Sequence, residues 1–228
     1  YSTLLRTIDD LDFKNKEIIV PFRADMPDIV MQALIKKSGL DIKNDFKLQY
    51  VATPVDAMQM LILRRADHAL LAEPAISIAL RKTGSFPVKL IAPDLYRSIN
   101  LQEEWGRLYK IEAKIPQAGL AIIGDTNGKE ELISKVLAEY DKSLAWYKNN
   151  KEEASKLVVK TLPMLEEKGL ADSIEYVRFE NINAINSKKD LEFFFDILMQ
   201  NDSKLIGGKL PNEDFYYKWR ISKFYYLH

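Results

Sequence analysis

The first third of the sequence repeats one order three times, a short apolar strand followed by an amphipathic helix. The strand segments are "EIIVPF" at 17–22, "FKLQYV" at 46–51 and "ADHALLAEP" at 66–74. Each is followed by apolar residues at helical spacing, which indicates one buried helix face per unit. Consecutive strand–helix units fold as a parallel sheet with right-handed crossovers. The sequence therefore predicts an α/β fold with a mainly parallel sheet.

The ends of the predicted helices carry local signals. The first helix ends in Lys36-Lys37-Ser38-Gly39, where basic residues and a glycine favour a helix C-terminus. Thr53-Pro54 favours the start of the second helix, because threonine caps and proline fits the first helical turn.

Two more strands are predicted before the chain becomes mainly helical. "VKLI" at 88–91 predicts a fourth strand, and "AGLAIIG" at 118–124 predicts another. A short helix is expected at 101–109, and a long amphipathic helix at 129–149. Shorter helices are expected over three further segments: 151–161, 166–177 and 187–200.

Composition excludes several classes of function. Lys plus Arg equals Asp plus Glu at 33 each, so the chain has no net field with which to hold nucleic acid or an anionic membrane surface. It has no cysteine, which excludes disulfides and thiolate chemistry. Of its two histidines, His68 falls in a predicted strand and His228 is terminal, so we expect no catalytic triad. No metal-binding motif occurs, and we predict neither metal nor cofactor.

The candidate site lies where the three strands end. The strand–helix junctions are at 23–27, 52–54 and 72–74, and in a parallel sheet they share the carboxyl edge, where open α/β folds bind ligands. Helix N-termini there present backbone N–H groups that favour an anionic or polar ligand. Arg23 could pair an acidic group, and Asp25 or Glu73 could accept from an amine. The simpler alternative is that Arg23 pairs with Asp25 and that Asp25 caps the helix.

Several segments resemble one protein family. They are "LDFKNKEIIVPFRADMPDIVMQALIKKSGLD", "YVATPVDAMQMLILRRADHALLAEPA", "IPQAGLAIIG", "LAWYKNNKEEASKLV" and "KLIGGKLPNEDFYY". Together they are similar to the substrate-binding proteins of bacterial ABC importers, in the nitrate/sulfonate/taurine-type group with the type II periplasmic binding fold. The Arg64-Arg65-Ala66 turn departs from the small or glycine-containing turn usual in that group.

The resemblance implies solute capture without chemistry. Two lobes would close on a small polar, anionic or heterocyclic ligand and deliver it to an ABC permease in the inner membrane. The protein would be a monomer, located in the periplasm or lipid-anchored outside the cytoplasmic membrane. The implied ligand-binding residues are Arg23, Ala24, Asp25 and Met26 in the wall, Thr53 and Pro54 in the floor, and Glu73 and Pro74 at the rim.

The resemblance also implies a domain plan. Residues 1–13 would form a crossing strand between lobes, and 14–125 the α/β ligand-binding lobe with its return strand. Residues 126–228 would form a C-terminal helical region that packs on the lobes. Since the family has a further lobe before this point, we expect a leading part to precede the chain.

Two other functions are compatible with the same fold. Cytosolic cofactor-biosynthesis enzymes of the menaquinone or thiamine pathways use it, although the scarcity of histidine weighs against an enzyme here. A sensor lobe fused to a membrane segment is the third alternative.

Overall fold

A small parallel sheet organises the first part of the structure. The computed structural model describes residues 14–218. Its strands are β1 (Glu17–Pro21), β2 (Lys47–Val51) and β3 (His68–Ala69). They lie in the order β2-β1-β3, and β1 pairs in parallel with both neighbours. This confirms the predicted α/β class with a parallel sheet, while the predicted crossing strand at 1–13 falls outside the described residues.

Helices follow the strands as the periodicity predicts. The first helix begins after Asp25 and ends before Ser38, and the second begins after Thr53, so both predicted boundaries are confirmed. The α-helices of the described chain are α1 (Met26–Lys37), α2 (Pro54–Ile62), α3 (Ala75–Gly84), α4 (Leu101–Tyr109), α5 (Glu130–Asn149), α6 (Lys151–Thr161), α7 (Glu167–Ser173) and α8 (Ala184–Asn201).

The central strand and the first helix carry much of the core. Every residue of β1 after Glu17 is buried. The inner face of α1 is buried as well, through Ile29, Val30, Leu34 and Ile35. Burying apolar side chains of this size contributes roughly 1.5–3 kcal/mol each to the stability of the fold. The sheet and α1 therefore form a stable support for the loops that join them.

The predicted fourth strand at 88–91 is wrong. Val88–Leu90 forms a short 3-10 helix after Pro87. The N–H of Leu90 donates to the carbonyl of Pro87, and that of Ile91 to the carbonyl of Val88. These groups therefore form local hydrogen bonds in place of pairing with a neighbouring strand.

Three other predicted segments also differ. Residues 118–124 belong to no strand and are exposed throughout, because no described strand pairs with them. The third strand ends at Ala69 rather than near Glu73. The helix expected at 166–177 covers only Glu167–Ser173, since the following residues form a turn.

The described chain divides into two compact units. The first contains the sheet and runs to Ile115, then resumes at Tyr147–Arg178. The second comprises Pro116–Trp146 and the chain from Phe179 onward. The two units thus interleave along the chain. The domain plan that the resemblance implies, with boundaries after residues 13 and 125, stays a prediction. The candidate site belongs entirely to the first unit.

Within the second unit, α8 holds the segment that follows it. Tyr216 is buried, and its hydroxyl donates a hydrogen bond to the carboxylate of Glu192 at 3.3 Å. The ring of Phe215 packs edge-on against that of Phe195, with ring centroids 6.1 Å apart. Lys188 pairs with Glu213. Among the helices of residues 14–218, none has the length and apolar character needed to cross a bilayer.

Candidate functional site

The carboxyl ends of the three strands lie at one edge of the sheet. Pro21 at the end of β1 is in register with Val51 at the end of β2. The N–H of Phe22 then donates to the carbonyl of Val51 at 3.1 Å, which extends the pairing one residue past the strand. On the other side, the N–H of Leu70 donates to the carbonyl of Ile19 at 2.8 Å. The β1–α1 junction therefore lies between the other two.

The β1–α1 junction has an unusual backbone. Phe22 and Ala24 have left-handed φ angles of 54° and 63°. In this region a residue with a Cβ costs roughly 1–2 kcal/mol relative to an ordinary conformation. Strained residues of this kind persist only where the surroundings hold them, and they are common in ligand-binding loops.

The carboxylate of Asp28 holds this loop. It is 1% exposed and accepts hydrogen bonds from the N–H of Ala24 at 2.8 Å and from the side-chain amide of Gln32 at 2.8 Å. The hydroxyl of Tyr50 on β2 donates to the same carboxylate at 3.3 Å. Burial raises the pKa of the Tyr50 phenol, and the charge of Asp28 raises it further. The phenol therefore remains a neutral donor, and Asp28 links the loop to both α1 and β2.

Arg23 projects from this loop. Its side chain is exposed, and its guanidinium carbon lies 5.2 Å from the centre of the Tyr50 ring, a cation–π contact. Asp25 instead accepts from the N–H of Met26 at 2.8 Å as the N-cap of α1. The helix cap in the simpler alternative is therefore present. The ion pair between Arg23 and Asp25 is not found among the described residues.

The β2–α2 junction is closed by a capping box. The hydroxyl of Thr53 accepts from the N–H of Asp56 at 3.1 Å, and the carboxylate of Asp56 accepts from the N–H of Thr53 at 3.0 Å. Side chains of the protein itself thus cap both helices, Asp25 at α1 and Thr53 at α2. We expected these helix N-termini to offer their N–H groups to a ligand, and at these positions the structure uses them internally instead.

The third junction presents a second arginine. Glu73, joined to Pro74 by a cis peptide bond, accepts from the N–H of Ser77 at 3.1 Å. It also accepts from the guanidinium of Arg97 at 2.6 Å, and the same nitrogen donates to the hydroxyl of Ser77 at 2.8 Å. The guanidinium carbon of Arg97 lies 3.6 Å from the centre of the Tyr176 ring. Both oxygens of Glu73 are thus engaged, and its structural effect is to position Arg97.

A small cavity borders this cluster. Its volume is about 170 Å³, and its lining includes Arg97, Ser77, Asp172 and Tyr176. Only one terminal nitrogen of Arg97 takes part in the contacts above, and a guanidinium has five N–H donors. Arg97 therefore has donors left for a group that enters the cavity. In residues 14–218 no three or more metal-ligating side chains come together.

The predicted site residues lie at the carboxyl edge of the sheet, together with further residues that the sequence did not indicate. Arg23, Asp25, Thr53 and Glu73 all lie in the three junctions, as the strand–helix order predicts. Sequence reasoning missed Asp28, Tyr50 and Arg97. The position of Asp28 in the first turn of α1 was a visible signal for a capping role. Arg97 lies in an irregular segment, where no sequence pattern indicates a role in the site.

Solved structures of other proteins are similar to this chain in fold. No protein-family model matches the sequence, and no curated protein matches it. An ABC transporter protein from Parabacteroides distasonis is structurally similar, with a TM-score of 0.62 and 20% identity over 91% of this chain and 68% of that one. The periplasmic aliphatic sulphonate binding protein SsuA of Escherichia coli is also similar, with a TM-score of 0.63 and 18% identity.

The match to SsuA covers 95% of this chain but 63% of that protein, so this chain spans less than two thirds of its length. At these identities the similarity concerns the fold. It agrees with the family resemblance that the sequence motifs indicate. The chain therefore shares an α/β fold with these two proteins.

Proposed function

We propose that this chain is the substrate-binding component of an ABC importer, which captures a small polar or anionic solute at the carboxyl edge of its sheet. The observation that carries the proposal is the exposed guanidinium of Arg23, presented by a strained loop that Asp28 holds in place. A loop that is already held in place lowers the cost of binding, because little loop freedom is lost when the ligand arrives.

Arg23 would donate to the acidic group of the solute, where a guanidinium can bind a carboxylate or sulfonate through two hydrogen bonds. Ala24, Asp25 and Met26 would form the wall beside it. Thr53 and Pro54 would form the floor, and Glu73 and Pro74 the rim. Arg97, which Glu73 positions, would supply a second cation from the far side of β1.

The fold similarity supports a binding role without chemical transformation, since one structural neighbour is named as a sulphonate-binding protein. By the same comparison, the protein would lie in the periplasm, or be lipid-anchored outside the cytoplasmic membrane. It would act as a monomer and deliver its solute to a permease in the inner membrane.

Native mass spectrometry of the full-length gene product tests the proposal. We expect a bound small molecule that is lost on denaturation. Thermal shifts with 1-butanesulfonate, butanoate and 1-butanol then compare ligand charge at matched chain length. A rise in Tm with an anion and none with the alcohol supports the proposal. An empty protein that responds to none of the three contradicts it.

A further inference from the structure

A cluster of large apolar side chains is exposed on the first unit, away from the candidate site. Phe86, Leu90 and Ile91 are 82%, 75% and 77% exposed, and Leu63 at the end of α2 is also exposed. Exposed apolar residues scattered singly are ordinary, whereas several together mark an interaction surface. We call these four residues the apolar patch.

Hydrogen bonds hold the two parts of the apolar patch together. The guanidinium of Arg64, next to Leu63, donates to the carbonyls of Ile91 at 3.3 Å and Ala92 at 3.4 Å. The N–H of Leu90 donates to the carbonyl of Pro87 at 3.0 Å and closes the short 3-10 helix. The patch therefore has a defined backbone and occupies one region of the surface.

The chain around the apolar patch is basic. Residues 57–66 and 74–93 contain no Asp or Glu, and their cationic residues are Arg64, Arg65, Arg81, Lys82 and Lys89. Arg81 is paired with Asp172, and the other four side chains are exposed. Asp67 and Asp94, which border the two stretches, are the nearest acidic residues in sequence. The two segments that carry the patch thus have an excess of positive charge, in a chain with a net charge of zero.

We propose that the apolar patch binds the surface of an anionic phospholipid bilayer. Phe86, Leu90 and Ile91 would enter the interfacial region, as apolar residues of peripheral proteins do. Lys82, Lys89 and Arg65 would contact lipid phosphates, because cationic side chains beside inserted apolar residues add electrostatic attraction to anionic lipid.

Charge favours a lipid surface over a second copy of the chain. A two-fold symmetric dimer through the patch would place the same basic surface against itself, and like charges oppose such an interface. The degree of exposure points the same way, because side chains at three quarters of full exposure project outward and do not line a groove for a partner.

The position of the patch is compatible with ligand binding. Leu63–Arg65 follows α2, and Ser85–Ile91 follows α3. In strand–helix units the helices run back across the sheet, so their C-terminal ends lie at the amino edge, opposite the candidate site. Bilayer contact at the patch would therefore leave the carboxyl edge open to solutes. This proposal stands independently of the proposed function.

Vesicle flotation tests the proposal with three-to-one mixtures of phosphatidylcholine and phosphatidylglycerol, against phosphatidylcholine alone. We expect binding to the anionic vesicles that weakens as salt rises. The triple variant Phe86→Ser/Leu90→Ser/Ile91→Ser should reduce the bound fraction by roughly fivefold or more, since the inserted apolar area is lost. Lys82→Glu/Lys89→Glu, which changes only exposed side chains, should reduce it by a similar factor.

Ile123→Ser is the matched control, because Ile123 is 94% exposed but lies in the second unit. It should leave flotation unchanged, and circular dichroism should show the wild-type spectrum for every variant. Failure of the wild-type protein to float with anionic vesicles would overturn the proposal. So would sedimentation velocity that shows a dimer which the triple variant abolishes, since a second copy would then cover the patch.

Discussion

The backbone N–H of Ala24 donates a 2.8 Å hydrogen bond to the carboxylate of Asp28, four residues later in the chain. Ala24 has a left-handed backbone, so this contact helps to hold a conformation that the residue would otherwise leave. Arg23 precedes Ala24, and its direction depends on the same turn. A buried acidic group thereby sets the position of an exposed basic one.

Replacing Asp28 should destabilise the protein. Asp28→Asn removes a charged acceptor from a site where three donors converge, and it places an amide N–H among them. We expect a loss of about 1–3 kcal/mol in the free energy of unfolding, as for buried hydrogen bonds to charged groups. Urea denaturation measures it. Glu103→Gln is the control, since Glu103 is exposed on α4, and a loss equal to that of the control would contradict the role of Asp28.

Gly169 is required where α7 packs on α3. A Cβ at this position would lie 2.7 Å from Cγ1 and 2.8 Å from Cα of Ile78, closer than packed atoms allow. Gly169→Ala should therefore cost about 1–3 kcal/mol in the free energy of unfolding, as overpacking does.

Gly84→Ala provides the comparison for Gly169, because a Cβ at Gly84 at the end of α3 has no neighbour within 4 Å. We expect Gly84→Ala to be neutral or stabilising by up to about 1 kcal/mol. Thermal unfolding of both variants checks the pair of predictions, and equal melting temperatures would show that α7 can move away from α3 at little cost.

The ion pair between Arg81 and Asp172 joins the same two helices. Two guanidinium nitrogens donate to the two carboxylate oxygens at 2.6 and 2.8 Å. Hydrogen bonding to Arg81 holds the pKa of the Asp172 carboxyl below its ordinary value of 3.8. Such a group contributes stability above its unfolded pKa and loses it as the pH falls through the lower folded value.

Asp172→Asn should thus reduce the unfolding free energy at pH 7 by only about 0.5 kcal/mol, because the pair is partly exposed and screened by solvent. The difference between variant and wild type should begin to shrink as the pH falls to 3.8 and should vanish below the lower pKa of the folded state. Urea titrations at a series of pH values measure it. A difference that stays constant down to the most acidic condition would mean that the charge of Asp172 is not its source.

The strand–helix order was sufficient to predict the parallel sheet and the edge that carries Arg23, Thr53 and Glu73. Periodicity and capping residues are local signals, and they are strong at Thr53 and at Ser38. The strand predicted at 88–91 failed because apolar content alone cannot show whether a neighbouring strand is present to pair with.

The contacts at the candidate site were harder to predict. The hydrogen bond from Tyr50 to Asp28 joins residues 22 positions apart, and the one from Arg97 to Glu73 joins residues 24 positions apart. Such pairs depend on how the helices pack against the sheet. No spacing in the sequence encodes them.

The most direct test of solute capture at the carboxyl edge is isothermal titration with the solute that native mass spectrometry identifies. Arg23→Ala should weaken binding about tenfold or more, the loss expected for a charge-assisted hydrogen bond. Arg65→Ala removes the same side chain at the opposite edge of the sheet and should bind as the wild type does. If Arg23→Ala keeps full affinity, the solute does not bind at Arg23, and the proposed site is wrong.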